Sequence, residues 1–541
     1  VSMSRTALLA GVLSLFLLPC SKAAAPAVRS EPLHVRIDRL IGIDQDFARY
    51  DAGLASDSEF LRRVHIDLAG YIPTSAQIRA FLADSAPDKR RRVIEQLLNS
   101  PEYARNMAQV FDVLLMERRP SRHVPQADWH EFLRQAFLNN RPWDEVVREI
   151  LSGDGTDPKK RHRIKFFLER DSDPHLVSRD ISRLLLGMNL QCAQCHDHPR
   201  IEDYRQEHYY GLFAFVSRMT AVQDKNKKLL LLSEKADGET TYQSVFDPKK
   251  ITKTAVPRVP FGPALVEPLV DKAKLYVIAP AADVAAVPTF SRLARLAGAI
   301  TQRDYLPFRR NLANRLWAHL MGRGLFEPFD NDHSANPPSH PEVLDLLAQE
   351  LADNGFNIRA ILRELALTKT YQRSSIPRPG TDAKQAPLYA IAVVKPLSPE
   401  QLAWSVMQAT GLLESYRKAY GGKDPEGEAY RRLAPSAALF INAFANPPGQ
   451  PQTFEPRTDQ ALLLANHPSL RSWLAPGSTL ATRLNSLPLP TRVEELYLSV
   501  LGRLPDEEER KEATEFLTRQ PKDIGDLAWA LLTSPEFRFN H

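Results

Sequence analysis

The 541-residue chain carries a net charge of +5, with 43% hydrophobic and 25% charged residues. These are globular proportions at a length that calls for two to four domains, and they argue against a disordered or collagen-like chain. Removing residues 1–25 takes away Arg5 and Lys22 and no acids, leaving +3, too little to imply a nucleic-acid partner.

The chain opens like an export signal. Arg5 supplies the positive end, Ala7 to Leu18 is an unbroken run of apolar and small residues, and Ala23-Ala24-Ala25 offers a cleavage site after Ala25. The run is short for a membrane span, and no later segment is apolar for long enough to be one. Two other readings stay open: an uncut N-terminal anchor, and a lipoprotein attached through Cys20, against which Pro19 counts. The expectation is an exported, periplasmic or cell-envelope protein.

The next signals are helical. Thr74-Ser75-Ala76-Gln77 is a capping box, and Ser398-Pro399-Glu400-Gln401 is another with Pro at the first helical position. Ser339-His340-Pro341-Glu342 opens a further helix, which Gly355 ends. The run Lys159 to Lys165 is basic, as is Lys225-Asn226-Lys227-Lys228; both read as solvated loops, with docking to an acidic partner or membrane surface the minority reading. Strand candidates are two short runs, Leu229 to Leu232 and Leu275 to Ile278. The predicted class is mainly α: a multi-domain helical protein with a small β-containing or irregular middle segment.

An order of residues recurs at the two ends. Gly70-Tyr71-Ile72-Pro73, a helix, then Leu97-Leu98-Asn99-Ser100-Pro101-Glu102-Tyr103 is matched by Gly502-Arg503-Leu504-Pro505, a helix, then Leu531-Leu532-Thr533-Ser534-Pro535-Glu536-Phe537. Two copies are too few for a solenoid. A helical module used once per domain is the simplest account.

Chemistry concentrates at Cys192-Ala193-Gln194-Cys195-His196. C-x-x-C-H is the spacing of c-type haem attachment: two thiols one turn apart reach the two vinyl groups, and the histidine supplies the proximal imidazole. Only three cysteines exist, and the third, Cys20, lies in the export signal. An oxidising compartment would otherwise pair two idle neighbouring thiols. His198 sits too close to His196 to reach the opposite face of the same haem; it would act behind His196 or ligate another metal. Candidates for a sixth ligand are His65, Met188, His208, Met219, His319 and His340. Two apolar segments could wall a porphyrin or simply pack: Leu176, Val177, Ile181, Leu184, Leu185 and Met188 upstream, and Tyr209, Tyr210, Leu212, Phe213, Phe215 and Val216 downstream. The rival readings are Zn or Fe held by Cys192, Cys195, His196 and His198, and a disulfide or redox dithiol.

Other signatures are sparse. No P-loop, dinucleotide glycine fingerprint, HExxH or G-x-S-x-G elbow occurs. Asp330 and Asp332 flank a turn that reads as solvated, with Ca²⁺ binding the alternative. Asn314, Arg315 and Trp317 read as an interdomain anchor, with the arginine fork on buried carboxylates and the tryptophan in the seam, and ligand binding the alternative.

Longer motifs carry a resemblance. Phe60 to Pro73, Leu97 to Tyr103 and Gln191 to Pro199 together resemble the second planctomycete cytochrome-associated domain, a domain of unknown function. Asn311 to Leu325, with Ser339-His340-Pro341-Glu342 and Tyr371-Gln372-Arg373-Ser374, resembles its usual companion, the planctomycete-specific C-terminal domain. The resemblance implies an exported protein with a cytochrome-like motif, often encoded near a sulfatase-like exported protein, and no defined reaction. Many relatives carry a further N-terminal cytochrome domain, which this sequence lacks. Relatives tend to read Asp-Asp-Phe-Gly where Asp330-Asn331-Asp332-His333 stands, and Phe-Asp after His-Pro where Arg200-Ile201 follows Pro199.

The expected organisation is a signal peptide at 1–25, the cytochrome-associated helical domain at 35–216, a linker or small insertion at 217–284, and the C-terminal helical domain at 285–540. The expected function is an exported haem c protein with one covalent haem, serving electron transfer or redox support with a redox partner protein. The alternative is an exported helical binding or scaffold protein, associated with the cell surface or polysaccharide, whose Cys/His motif holds a metal or a disulfide.

Overall fold

The computed structural model describes residues 31–541 apart from 155, 225–227, 421 and 448–454. The export-signal reading, Cys20 and most of the Lys225–Lys228 run lie outside the described residues. More than half of the protein is helix, and the sheets are two-stranded pairs, as the mainly α expectation requires.

The helix Asp57–Ala69 pins the fold. Ser56 caps it by accepting from the Glu59 N–H, and Asp57 and Glu59 place negative charge in its first turn. Gly70 ends it at φ +83°, donating to the carbonyls of His65 and Ile66. The helix is buried from Glu59 to Ala69, so its charged side chains must find partners inside. Arg62 donates to the carbonyl of Phe537 at 2.8 Å and to those of Val500 and Leu501 at 3.4 Å. Burial pushes its guanidinium down to about 10. Arg63 donates to the carbonyls of Tyr371 and Arg373 (2.6 and 2.7 Å) and to Glu59 (2.7 Å). Asp67, 1% exposed, accepts from Lys395 (2.7 Å), Tyr371 Oη (2.8 Å) and Asn540 (2.9 Å). Lys395 also donates to the His319 and Leu320 carbonyls, closing the C-terminus of the Leu306–Met321 helix. One early helix thus ties together segments from residues 371, 395, 500 and 540.

The terminal repeat is structural. Gly70 and Gly502 both take positive φ, +83° and +79°. Thr74 with Gln77 and Asp506 with Glu509 each form a complete capping box. Ser100 and Ser534 each cap the next helix, with proline in its first turn. The two copies touch: the Ser75–Ala83 helix packs on Leu489–Val500, and Arg79 pairs with Glu495 at 3.1 Å. One difference between them is between a cation and an aromatic. In the second copy Arg503 clasps Glu509 and Glu536 (2.6 to 2.8 Å). Tyr71 stands there in the first copy, and Arg417, which donates to the Tyr71 hydroxyl at 2.6 Å and to Glu102 at 3.4 Å, brings the guanidinium from elsewhere.

The remaining capping signals hold. Ser398 and Gln401 form their box, and Gly355 follows the Pro341–Asp353 helix at φ +59°. The basic run Lys159 to Lys165 departs from the solvated-loop expectation. It is a 3₁₀ turn over Pro158–Ile164 leading into the Lys165–Leu168 helix. Arg161 turns inward to the carbonyls of Leu230 (2.6 Å) and His123 (2.9 Å), and Lys165 is buried against Ser121 (2.6 Å) and Val124 O (3.1 Å). These cations donate to carbonyl and hydroxyl oxygens inside the fold.

The middle segment is β and irregular. Met219–Asp224 pairs with Leu229–Glu234, Thr241–Tyr242 with Lys253–Thr254, and Tyr276–Ile278 with Val287–Pro288, all antiparallel. Both strand candidates therefore form strands. Glu234 then caps the Arg292–Ile300 helix, accepting from Ser291 Oγ and the Arg292 N–H (both 2.6 Å). The segment is packed into the fold at that end.

Candidate functional site

The chain reaches the C-x-x-C-H motif through an irregular approach. The Pro174–Asp180 helix widens into a π turn over Ile181–Leu185. Asn311 donates to the Leu184 carbonyl at 2.8 Å, and the Asp332 N–H to the Gly187 carbonyl at 2.9 Å. Gly187 sits at φ +70°, where a Cβ would lie 3.2 Å from Asn311 Oδ1, so the approach needs glycine. The upstream stripe faces the core: Val177, Ile181, Leu184, Leu185 and Met188 are buried there.

Cys192–Gln194 forms one 3₁₀ turn. Ala193 is buried beneath it and donates to the Leu190 carbonyl at 3.0 Å. Cys192 and Cys195 are both free and exposed. Tyr210 Oη donates to the Gln194 carbonyl at 3.1 Å, and the Gln194 amide meets His175 Nδ1 at 3.3 Å. Behind the turn, Asp197 accepts from the Gln206 N–H at 2.7 Å, fixing the start of the Gln206–Val216 helix.

The two motif histidines differ in chemistry. His196 Nδ1 lies 2.7 Å from the Asp197 carbonyl. A carbonyl only accepts, so Nδ1 carries the proton and Nε2 keeps its lone pair, the tautomer a metal ligand needs. His198 Nδ1 accepts from the N–H groups of Arg200 (3.2 Å) and Ile201 (3.0 Å). Its neutral ring therefore carries the proton on Nε2 and holds the following turn. Among the described residues, no three His, Cys, Asp or Glu side chains stand together as metal donors.

Residues 37–221 match the PSCyt2 model, described as a protein of unknown function (DUF1549). Residues 292–517 match PSD1, described as a protein of unknown function (DUF1553). The chain carries both domains, in that order. No curated protein and no solved structure matches it.

The PSCyt2 and PSD1 domains meet beside the motif. PSD1 supplies Asn311 and Asp332 to the approach, and its Ser334 N–H donates to Asp203 at 2.6 Å. The turn at Asp330–Asp332 is not the solvated acidic turn expected from sequence. Asp332 grips Arg310 with both oxygens (2.9 and 3.0 Å), and Asp330 accepts from Asn189 at 3.1 Å. Arg315 also departs from expectation. It donates to Asn311 Oδ1 at 3.0 Å and the Arg183 carbonyl at 3.3 Å, so its interdomain link runs through an amide and a backbone carbonyl rather than a carboxylate. Burial pushes its guanidinium down to about 10. Trp317 is fully buried against Tyr389 inside PSD1.

Of the sixth-ligand candidates, His65, His319 and His340 belong to the interior around Asp67 and Tyr389. His65 is buried on the Asp57–Ala69 helix, His319 Nε2 meets the Asp67 carbonyl at 3.0 Å, and His340 packs on Tyr389. Met188 and Met219 are buried in the core. His208 is on the helix that Asp197 caps, with its Nδ1 on the Asp203 carbonyl at 2.8 Å. The fold adds two histidines that sequence reasoning missed. His175 stacks on Phe213 and meets Tyr209 Oη at 2.7 Å. His333 and His198 both meet the buried Tyr204 ring edge-on, at centroid separations of 5.3 and 6.1 Å. Its only sequence signal is the departure from the relatives' Asp-Asp-Phe-Gly.

The middle segment returns to the motif as well. The Val245 N–H donates to the Cys195 carbonyl at 3.0 Å, and the Phe246 ring lies 4.5 Å from that of His196.

Proposed function

We propose that this chain is an exported c-type haem protein that carries electrons or supports redox chemistry with a redox partner protein. The observation that carries the reading is the turn itself: two free, exposed thiols on one 3₁₀ turn, followed by an imidazole whose Nδ1 is tied back to Asp197 and whose Nε2 is left to bind. Cys192 and Cys195 would hold the porphyrin through thioethers, and His196 would take the proximal position. A haem held there supplies one-electron chemistry at iron. The protein's own part is orientation. Asp197 sets the His196 tautomer, Ala193 roots the turn in the core, and Tyr210 and His175 hold Gln194 between the two thiols. Half-buried Tyr210 and Phe213 offer aromatic surface beside the turn.

The test is expression with the leader intact in a host that attaches haem. A pyridine haemochrome spectrum and a peroxidase-stained denaturing gel should give one covalent haem per chain. A haem-free product, from cells that mature a control cytochrome, rejects the reading. It would favour a binding or scaffold protein with a metal or disulfide at the motif, which metal analysis and thiol counting would separate.

A further inference from the structure

The segment between Thr241–Tyr242 and Lys253–Thr254 has no counterpart in the motif and reads from sequence as linker. Its fold is defined. Gln243 Nε2 donates to Thr252 Oγ1 at 2.6 Å across its base. Asp247 braces its tip, accepting from the N–H groups of Lys249 (2.9 Å), Lys250 (3.0 Å) and Ile251 (3.2 Å). This braced loop reaches the Cys192–His196 turn at two places and the Gln206–Val216 helix behind it at two more. Tyr242 stacks on Tyr210 at 4.2 Å and 6°, and Tyr210 in turn holds the Gln194 carbonyl. Gln206 Nε2 donates to the Gln243 carbonyl at 3.0 Å. The Val245 N–H donates to the Cys195 carbonyl at 3.0 Å. The Phe246 ring lies against His196 at 4.5 Å and 35°.

We propose that residues 242–252 form a clamp on the haem-attachment turn, and that Phe246 is a positioning residue that sets the plane of the His196 ring. The assigned purpose rests on the haem reading; the contact does not. A hydrogen bond from Nδ1 to the next residue's carbonyl fixes the tautomer but leaves the ring free to tilt about that bond. An aromatic face against the imidazole removes that freedom. Phe246 is 72% exposed, so burial in the core does not account for its position. The groups behind a ligating imidazole fix its ring orientation, and such contacts tune the metal it would hold.

The first test uses the haem-free full chain with ¹³C-labelled histidine, with His196→Gln identifying the His196 resonance. The wild type should show that resonance displaced by the Phe246 ring current. Phe246→Ala should move it toward the free-histidine position, and Phe246→Tyr should restore it. An unchanged resonance across all three proteins overturns the clamp. The second test uses the haem-loaded chain. Phe246→Ala should shift the ferric electron paramagnetic resonance g values with attachment yield unchanged, and Phe246→Tyr should bring them back. Identical spectra overturn the positioning role. A wild type without covalent haem overturns the haem reading instead, and the histidine resonances still decide the contact.

Discussion

The interior around Asp67 and the surface turn at Cys192–His196 both gather polar side chains, and they are built on opposite terms. Around Asp67, cations and carboxylates are paired in the core: Lys395 with Asp67 and two helix carbonyls, and Arg63 with Glu59 and two carbonyls. These bonds join segments that lie far apart in the chain. At the surface turn, the backbone is held and the reactive atoms are not: two exposed thiols and an imidazole Nε2 project from a rooted turn. Perturbed, buried ionisable groups often mark functional sites, but here they mark the structural hub.

Four experiments would break or sharpen this contrast. The largest effect falls on the surface turn. Cys192→Ala with Cys195→Ala should abolish covalent haem, while stability stays within about 0.5 kcal/mol because the side chains are exposed. Denaturant melts and the stained gel check both halves. Next, Asp67→Ala should cost about 3–5 kcal/mol, because it strands the buried Lys395 ammonium and the Tyr371 hydroxyl. Urea unfolding measures it, and haem attachment should survive at a permissive temperature.

The third concerns pH. Burial pushes His65 down to about 3 from its ordinary 6.5. Below pH 6.5 the unfolded chain takes up a proton that the folded chain refuses, so stability falls as pH drops toward 3. His130 is held down to about 3 in the same sense, as burial and the nearby Arg105 dictate. His65→Gln should remove one proton from this linkage. Between pH 6.5 and 5 the variant should lose about 1.6 kcal/mol less than the wild type, the slope rising toward ~1.4 kcal/mol per unit as the unfolded histidine fills with protons.

The smallest effects compare the repeat glycines. Gly70→Ala adds a Cβ 2.4 Å from Asn106 Oδ1 at positive φ and should cost about 1–3 kcal/mol. Gly502→Ala meets only Arg62 side-chain atoms at 3.7 Å and should cost about 1 kcal/mol, from backbone strain alone. Equal costs would mean that crowding at Gly70 relaxes freely.

What the sequence made legible follows the range of the interactions. Capping boxes act within four residues, and Thr74, Ser398 and Gly355 behave as their local chemistry dictates. The repeat was legible because its glycines and Ser-Pro-Glu openings do the same local jobs twice, but that the two copies pack together was not. The motif turn was legible from five consecutive residues, whereas its company was not. Phe246 and Tyr242 arrive from a segment with no helical period, and His175 and His333 carry no local signature. Arg315 was expected on carboxylates and binds Asn311 and the Arg183 carbonyl instead. A buried guanidinium is satisfied by any nearby acceptor, and which one is near depends on a helix more than 100 residues upstream.

The proposed function requires haem on Cys192 and Cys195. The most direct measurement is peptide mapping by mass spectrometry on the chain purified from a haem-attaching host. The expected result is one peptide containing both cysteines, bearing a single haem through two thioether bonds. Recovery of that peptide with both cysteines unmodified or joined as a disulfide, from cells that mature a control cytochrome, would contradict it.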